Sequence, residues 1–310
     1  MILHTGNRTD IPAFYGEWFA NRLREGYVLV RNPYTPLQVT KYQITPEVVD
    51  VIAFCTKNPG PFLPHMDLLR AYGQYWFVTI TPYGKEIEPQ VPAKEHVMQD
   101  FIRLSKIVGV DSIGWRYDPI FLSDTYTVEN HIHTFGEMAK TLEGYTETCV
   151  ISFIDLYQKV LRNFPEVKTV KKEDRIAIGK EFVRIGKKYG ITIKTCAEGE
   201  ELEPYGADCS GCMTTAVFEK AIDCSLNVPN VKSARPECGC LLGSDIGMYN
   251  TCGHLCKYCY ANYDTQTVMK NMKSHNPKSA LLLGELTADD VIHEAKQESW
   301  KDRQLKLIID

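Results

Sequence analysis

Apolar runs of strand length alternate with longer stretches of helical periodicity along most of this 310-residue chain, and few folds accommodate that alternation. The runs ILHTG (2–6), VVDVIAFCT (48–56), QYWFVTIT (74–81), DSIGWRY (111–117), TCVISFI (148–154), GITIKTC (190–196) and LLGSDIGMY (241–249) are predicted strands. Between them lie the helical patterns IPAFYGEWFANRLREG, AKEHVMQDFIRLSKIVG, VENHIHTFGEMAKTLEG and EDRIAIGKEFVRIGKKYG. The last three end at Gly109, Gly144 and Gly190, as left-handed caps would. Such βα units build a mostly parallel sheet, and the length suits one TIM-like (βα) barrel of roughly 250 residues plus a tail. The segment 27–44, YVLVRNPYTPLQVTKYQI, breaks the pattern and reads as an inserted β-hairpin. We expect a barrel over 1–262, cysteine-rich from 196 to 262, and a helical tail over 263–310, with helices around 267–273 and 288–303, packed on it.

The formal charge of -4 provides no broad cationic surface, which counts against nucleic acid as a partner. The N-terminal residues MILHTGNRTD carry no charged leader before an apolar segment. No apolar run reaches the roughly 18 residues of a membrane span, so the expectation is a cytoplasmic protein with no membrane association.

Parallel α/β sheets carry their chemistry at the carboxyl ends of the strands. Here those ends read Asn7-Arg8-Thr9-Asp10, Thr56-Lys57-Asn58, Thr81-Pro82-Tyr83, Arg116-Tyr117-Asp118, Asp155-Leu156-Tyr157 and Thr195-Cys196-Ala197-Glu198. Some of these residues serve as helix caps, but caps do not call for Arg116 or Lys57. Arg116, Asp118, Asp155, Tyr157 and Glu198 are the candidate substrate-side catalytic residues.

Nine of the eleven cysteines fall between Cys196 and Cys259. In a reducing compartment such clustering points to metal. Cys55 and Cys149, inside apolar runs, read as small buried hydrophobes. Cys252, Cys256 and Cys259 place three thiolates at spacings of four and three residues. A closed structural zinc site wants four ligands, whereas a four-iron, four-sulfur cubane on three cysteines leaves one iron open. Spacing therefore favours the cubane, with zinc completed by His254, Cys238 or Cys240 as the alternative. Cys196, Cys209, Cys212, Cys238 and Cys240 form a further set, expected to hold a second iron-sulfur cluster or a zinc ion.

The run Cys252-Gly-His-Leu-Cys256-Lys-Tyr-Cys259 resembles the C-x3-C-x2-C motif of radical S-adenosylmethionine enzymes, with aromatic Tyr258 where that superfamily has a residue touching adenine. Its extended form, CGHLCKYCYAN, is similar to the spore photoproduct lyase branch. There the motif normally follows the first barrel strand; here it follows LLGSDIGMY, late in the chain. Taken whole, through RTDIPAFYGEWF, TKNPGP, TPYG, WRYDPI, SFIDLY and DIGMYNTCGHLCKYCYANY, the sequence resembles a bacterial and archaeal family designated only as a domain of unknown function, whose members carry such a cysteine cluster at the C-terminal end.

The resemblance implies a circular permutation in which LLGSDIGMY lies beside ILHTG, preserving the barrel. It implies a 4Fe-4S cluster on Cys252, Cys256 and Cys259, with S-adenosylmethionine chelated at the open iron and cleaved reductively to a 5′-deoxyadenosyl radical. Asp10 would pair with the methionine ammonium and Arg8 with its carboxylate. The implied partners are a small-molecule or peptide substrate and a reducing protein such as ferredoxin or flavodoxin. Two other readings stay open: a nucleic-acid lesion lyase, and a non-catalytic iron-sulfur or zinc redox protein.

Overall fold

The computed structural model describes residues 1–229, 238–241 and 243–302. Parts of two expectations, 230–237 of the cysteine-rich segment and 303–310 of the tail, lie outside the described residues. β1 (Ile2–His4) leads through α1 (Ile11–Phe14) and α2 (Gly16–Glu25) into a hairpin, β2 (Tyr27–Arg31) and β3 (Gln38–Gln43). There follow β4 (Val51–Thr56), β5 (Gly73–Thr79), α3 (Lys94–Val108), β6 (Ile113–Ile120), α4 (Val128–Thr141), β7 (Thr148–Phe153), α5 (Gln158–Asn163), α6 (Lys172–Lys188) and β8 (Thr192–Thr195). The last elements are α7 (Thr215–Ile222), β9 (Ser244–Asp245), α8 (Thr265–Lys273) and β10 (Val291–Glu294).

Seven strands form one parallel sheet in the order β8-β7-β6-β5-β4-β1-β9, so the fold is α/β with each predicted strand run represented. β9 pairs in parallel with β1, Leu3 opposite Ser244 and His4 opposite Asp245, which brings the strand before the cysteine motif beside the first strand.

Strand alternation divides the core between the two sheet faces. On one face Leu3, Ile52, Phe54, Trp76, Trp115 and Ile151 pack against the helices. Aromatic rings stack through this layer, Phe54 on Trp76 at 3.7 Å and Phe135 of α4 on Phe182 of α6 at 3.8 Å. Full burial of side chains this size contributes about 1.5–3 kcal/mol each, so this face dominates the fold. The other face, inner to a cover formed by Phe218 of α7, Cys212 and Met213, carries Ile2, Val51, Ala53, Tyr75, Phe77 and Val150.

The helical reading of IPAFYGEWFANRLREG is corrected at one point. The chain breaks at Tyr15, whose hydroxyl donates to Thr251 O over 2.7 Å, and α1 and α2 are separate helices. Gly109, Gly144 and Gly190 all have positive φ, at 85°, 78° and 68°, but Gly109, with ψ 157°, is not in the left-handed helical conformation expected of it.

The hairpin forms as expected, with Asn32 Oδ1 accepting from Tyr34 N and Thr35 N in its turn. The tail differs from expectation. α8 is present, but the helix expected over 288–303 is replaced by β10, which pairs in parallel with β3 and makes the hairpin a three-stranded sheet. The free edge of β3 supplies backbone partners that a four-residue exposed segment lacks alone, and Arg31 clamps Asp290 at its start. Beyond β10 the chain straps the amino-terminal ends of the strands: Trp300 N and Ser299 Oγ donate to Asp50, which also pairs with the Met1 amino group. Among the described residues, no helix is long and apolar enough to cross a membrane.

Candidate functional site

At the opposite, carboxyl end of the sheet lies the loop that carries Cys252, Cys256 and Cys259. Backbone bonds fasten it from several sides: Gln90 N to His254 O (3.2 Å), Lys257 N to Ile87 O (3.0 Å) and Asn250 N to Ala261 O (3.1 Å). Asn262 Nδ2 donates to Cys252 O, and Asn271 Nδ2 of α8 to Asn250 O, both over 2.9 Å. Leu255 and Asn250 take left-handed φ of 57° and 60°. For leucine that conformation costs on the order of 1 kcal/mol, which the surrounding bonds offset.

Burial pushes all three thiols above their ordinary range, and for each of Cys252 and Cys256 the charge of neighbouring motif cysteines adds to it. Two cations counter this. Lys57 acts on Cys256 and Cys259, and Lys159 acts on Cys259. Cys256 is buried and Cys252 and Cys259 are half-buried. Thiols whose ionised forms repel one another, with lysines beside them that favour ionisation, are donors of the kind a shared metal group takes, but among the described residues no three such side chains stand arranged around an ion. Cys256, Tyr258 and Cys259 belong to an apolar cluster with Tyr83, Phe121 and Phe164, which keeps water from the loop.

Glu88 is the polar hub next to this loop. It is buried and accepts from Lys57 Nζ at 2.8 Å, from Thr81 Oγ1 at 2.7 Å and from the Tyr258 hydroxyl. Burial acts to raise its carboxyl, but Lys57, Tyr258 and Thr81 outweigh that and hold it below the ordinary value. Sequence reasoning noted Lys57 and Thr81 at strand ends but missed Glu88, which sits in a polar run, KEIEPQ, that shows no sign of burial.

Arg8 and Asp10 both end the turn after β1, and both are engaged. Arg8 pairs with the Asp245 carboxylate and donates from Nη2 to its carbonyl over 2.6 Å. Asp10 caps α1 through Ala13 N at 3.1 Å, while its other oxygen accepts from Lys57 N and contacts His254 Nε2, both at 2.8 Å. Asp10 thus ties the cysteine loop to β1 and to the end of β4. The buried His254 Nδ1 and Asn262 Oδ1 have no hydrogen-bond partner among the described residues.

Across the sheet, Arg116 Nη2 donates to Asp118 at 2.9 Å, and Asp118 also accepts from Ser152 Oγ. Glu198 accepts from Phe153 N at 2.8 Å, and burial pushes its carboxyl up to about 7. Asp155 accepts from the Tyr157 hydroxyl at 3.1 Å, and the half-exposed ring of Tyr157 lies 6.1 Å from that of Tyr260 in the motif.

Of the further cysteines, Cys196, Cys212 and Cys240 meet on the inner face, their sulfurs 3.5 and 3.3 Å from Cys212 Sγ. Cys209 packs toward the other core, and Cys238 lies two residues from Cys240. Cys149 is fully buried, in keeping with a small hydrophobe. Cys55, read the same way, packs against the apolar cluster of the inner face, its thiol pushed up to about 12 by burial and drawn back by Arg116.

No curated protein and no solved structure matches the chain. A family model does, over residues 2–261, a span that runs from the first strand through the third motif cysteine. The chain therefore belongs to the family described as domain of unknown function DUF1848.

Proposed function

We propose that this chain is a radical S-adenosylmethionine enzyme whose 4Fe-4S cluster is held by Cys252, Cys256 and Cys259. The observation that supports this reading is three thiols, Cys256 buried and Cys252 and Cys259 half-buried, flanked by Lys57 and Lys159 in one fastened loop at the carboxyl end of a parallel sheet. The parallel pairing of β9 with β1 supports reading that sheet as a circularly permuted (βα) barrel. Held by Cys252, Cys256 and Cys259 with one iron open, such a cluster would supply a low-potential electron and a chelating site for S-adenosylmethionine, the chemistry that cleaves its carbon-sulfur bond to methionine and a 5′-deoxyadenosyl radical.

The chain's own groups have separate tasks in this reading. Tyr258, fixed by Glu88, presents its ring beside the cluster loop for adenine. Arg8 takes the methionine carboxylate in exchange for Asp245. Asp10 would pair with the methionine ammonium, and its bonds to His254 and Lys57 make it a positioning group for the loop as well. Arg116 with Asp118, and Asp155, Tyr157 and Glu198, line the substrate side. The substrate class is a small molecule or peptide, and a ferredoxin or flavodoxin is the reductant.

Anaerobically reconstituted protein given dithionite and S-adenosylmethionine is expected to release 5′-deoxyadenosine, and Cys256→Ala to release none. Protein that carries four irons per cluster but yields no 5′-deoxyadenosine would sink the proposal. Arg8→Ala with unchanged affinity for S-adenosylmethionine would remove Arg8 from its assigned role.

A further inference from the structure

The motif loop leaves a second group of sulfurs unused. Cys196 follows β8, Cys212 precedes α7 and Cys240 precedes β9, so three separate segments converge on the inner face of the sheet. Cys212 Sγ is 3.5 Å from Cys196 Sγ and 3.3 Å from Cys240 Sγ. Met213 N donates to Cys240 Sγ over 3.4 Å, and Arg116 Nη1 stands 3.9 Å from Cys212 Sγ. The two loops that deliver Cys212 and Cys240 touch directly. A Cβ on Gly239 would lie 2.5 Å from Ser210 O, and Gly211 facing it has φ +110°.

Spacing identifies what the sulfurs suit. A disulfide draws two sulfurs to about 2.05 Å. A cubane puts each cysteine on a different corner iron and spreads the sulfurs well apart. One tetrahedral zinc ion, with zinc-sulfur bonds of about 2.3 Å, sets them about 3.8 Å apart. The observed 3.3 and 3.5 Å fall a few tenths of an ångström short of that last value. Among the described residues no group of three or more His, Cys, Asp or Glu side chains already stands as a metal site, so the trio would have to open by that small amount.

We propose that Cys196, Cys212 and Cys240 form a mononuclear thiolate site for zinc, distinct from the iron site. Three thiolates on a divalent ion leave one net negative charge beside the Arg116 guanidinium, and a water molecule would take the fourth position, so the site is open where a four-ligand structural zinc site is closed. Sulfur donors select zinc over magnesium or calcium, and binding releases the thiol protons to solvent. The ion fastens the 209–213 and 238–241 loops over the inner face of the sheet, next to Arg116 and Asp118.

The test uses the full chain carrying Cys252→Ala, Cys256→Ala and Cys259→Ala, so that failure of the iron reading does not affect it. Purified anaerobically with zinc, this protein is expected to hold about one zinc per chain and, with cobalt substituted, to show the spectrum of tetrahedral thiolate ligation. Cys212→Ser and Cys240→Ser are expected to lower zinc at least tenfold and Cys209→Ser to leave it unchanged. Cys240→His, which keeps a zinc ligand, guards against a folding artefact by restoring it. The proposal is overturned if this background binds iron and sulfide as a cluster, takes up no zinc under reducing conditions, or keeps its zinc in Cys212→Ser and Cys240→Ser.

Discussion

The two cysteine trios differ in how the chain assembles them. Cys252, Cys256 and Cys259 come from eight consecutive residues, and the work of the fold is to fasten that loop to strand ends through Asp10, Glu88, Lys57 and the backbone of 87–90. Cys196, Cys212 and Cys240 come from three segments spread over 45 residues of sequence, and the sheet face itself brings them into contact. The first set is local in sequence and depends on a buried polar network. The second is non-local and depends on apolar packing under α7 with a single arginine beside it. If this contrast is functional, the two regions should respond independently to substitution.

The largest expected effect is reciprocal metal loss. Cys256→Ser is expected to abolish iron retention while leaving zinc in place, and Cys212→Ser to do the reverse. Joint loss of both metals in either variant, by elemental analysis, would show one coupled centre instead of two. Next comes the polar network. Lys57→Met leaves Glu88 buried without its cation, a change that costs about 3 kcal/mol at pH 7. In the native protein Glu88 is held below its ordinary value, so its contribution is present above the unfolded carboxylate pKa of about 4.3 and is lost as pH falls through the folded value. In Lys57→Met the sign reverses, because the uncompensated carboxylate prefers to take up a proton. The deficit, read from anaerobic urea denaturation, should therefore shrink toward pH 4, and an equal deficit at both pH values would refute the account.

What could be read from the sequence follows the same division. Period-two and helical patterns span few residues, so β4 to β8 and the long helices were legible, as was a motif whose three ligands sit within eight positions. The nearness of β9 to β1 became legible only through the family resemblance, since no local pattern specifies which strands are neighbours. The strand β10 was misread because Val291–Glu294 is exposed and gains its conformation from the edge of β3, some 250 residues earlier. Glu88 was missed because burial of one acid within KEIEPQ is a consequence of Lys57, Thr81 and Tyr258 meeting it in space. Of five cysteines assigned to a second site, the sequence offered no reason to prefer Cys196, Cys212 and Cys240 over Cys209 and Cys238.

Two smaller effects sharpen the contrast further. A Cβ on Gly253 would stand 2.8 Å from Phe14 Cε1 and 2.8 Å from Met272 Cε, so Gly253→Ala overpacks the loop of Cys252, Cys256 and Cys259 and should cost about 2 kcal/mol. Since the methionine is the more flexible of the two neighbours, Met272→Ala in the same chain should recover part of that loss, and no recovery would place the strain elsewhere. The smallest effect is expected beside Cys196, Cys212 and Cys240. Lys194 is buried and pairs with Asp208, as Lys57 pairs with Glu88, but the Asp208 side chain is 37% exposed against 5% for Glu88. Asp208 also accepts from Ser210 N and Oγ. When Lys194→Met removes the cation, water and Ser210 can still solvate the carboxylate, so the loss should stay within about 1 kcal/mol. Were Lys194→Met to cost as much as Lys57→Met in the same denaturation experiment, the buried polar network would not be what distinguishes the loop of Cys252, Cys256 and Cys259 from the inner face.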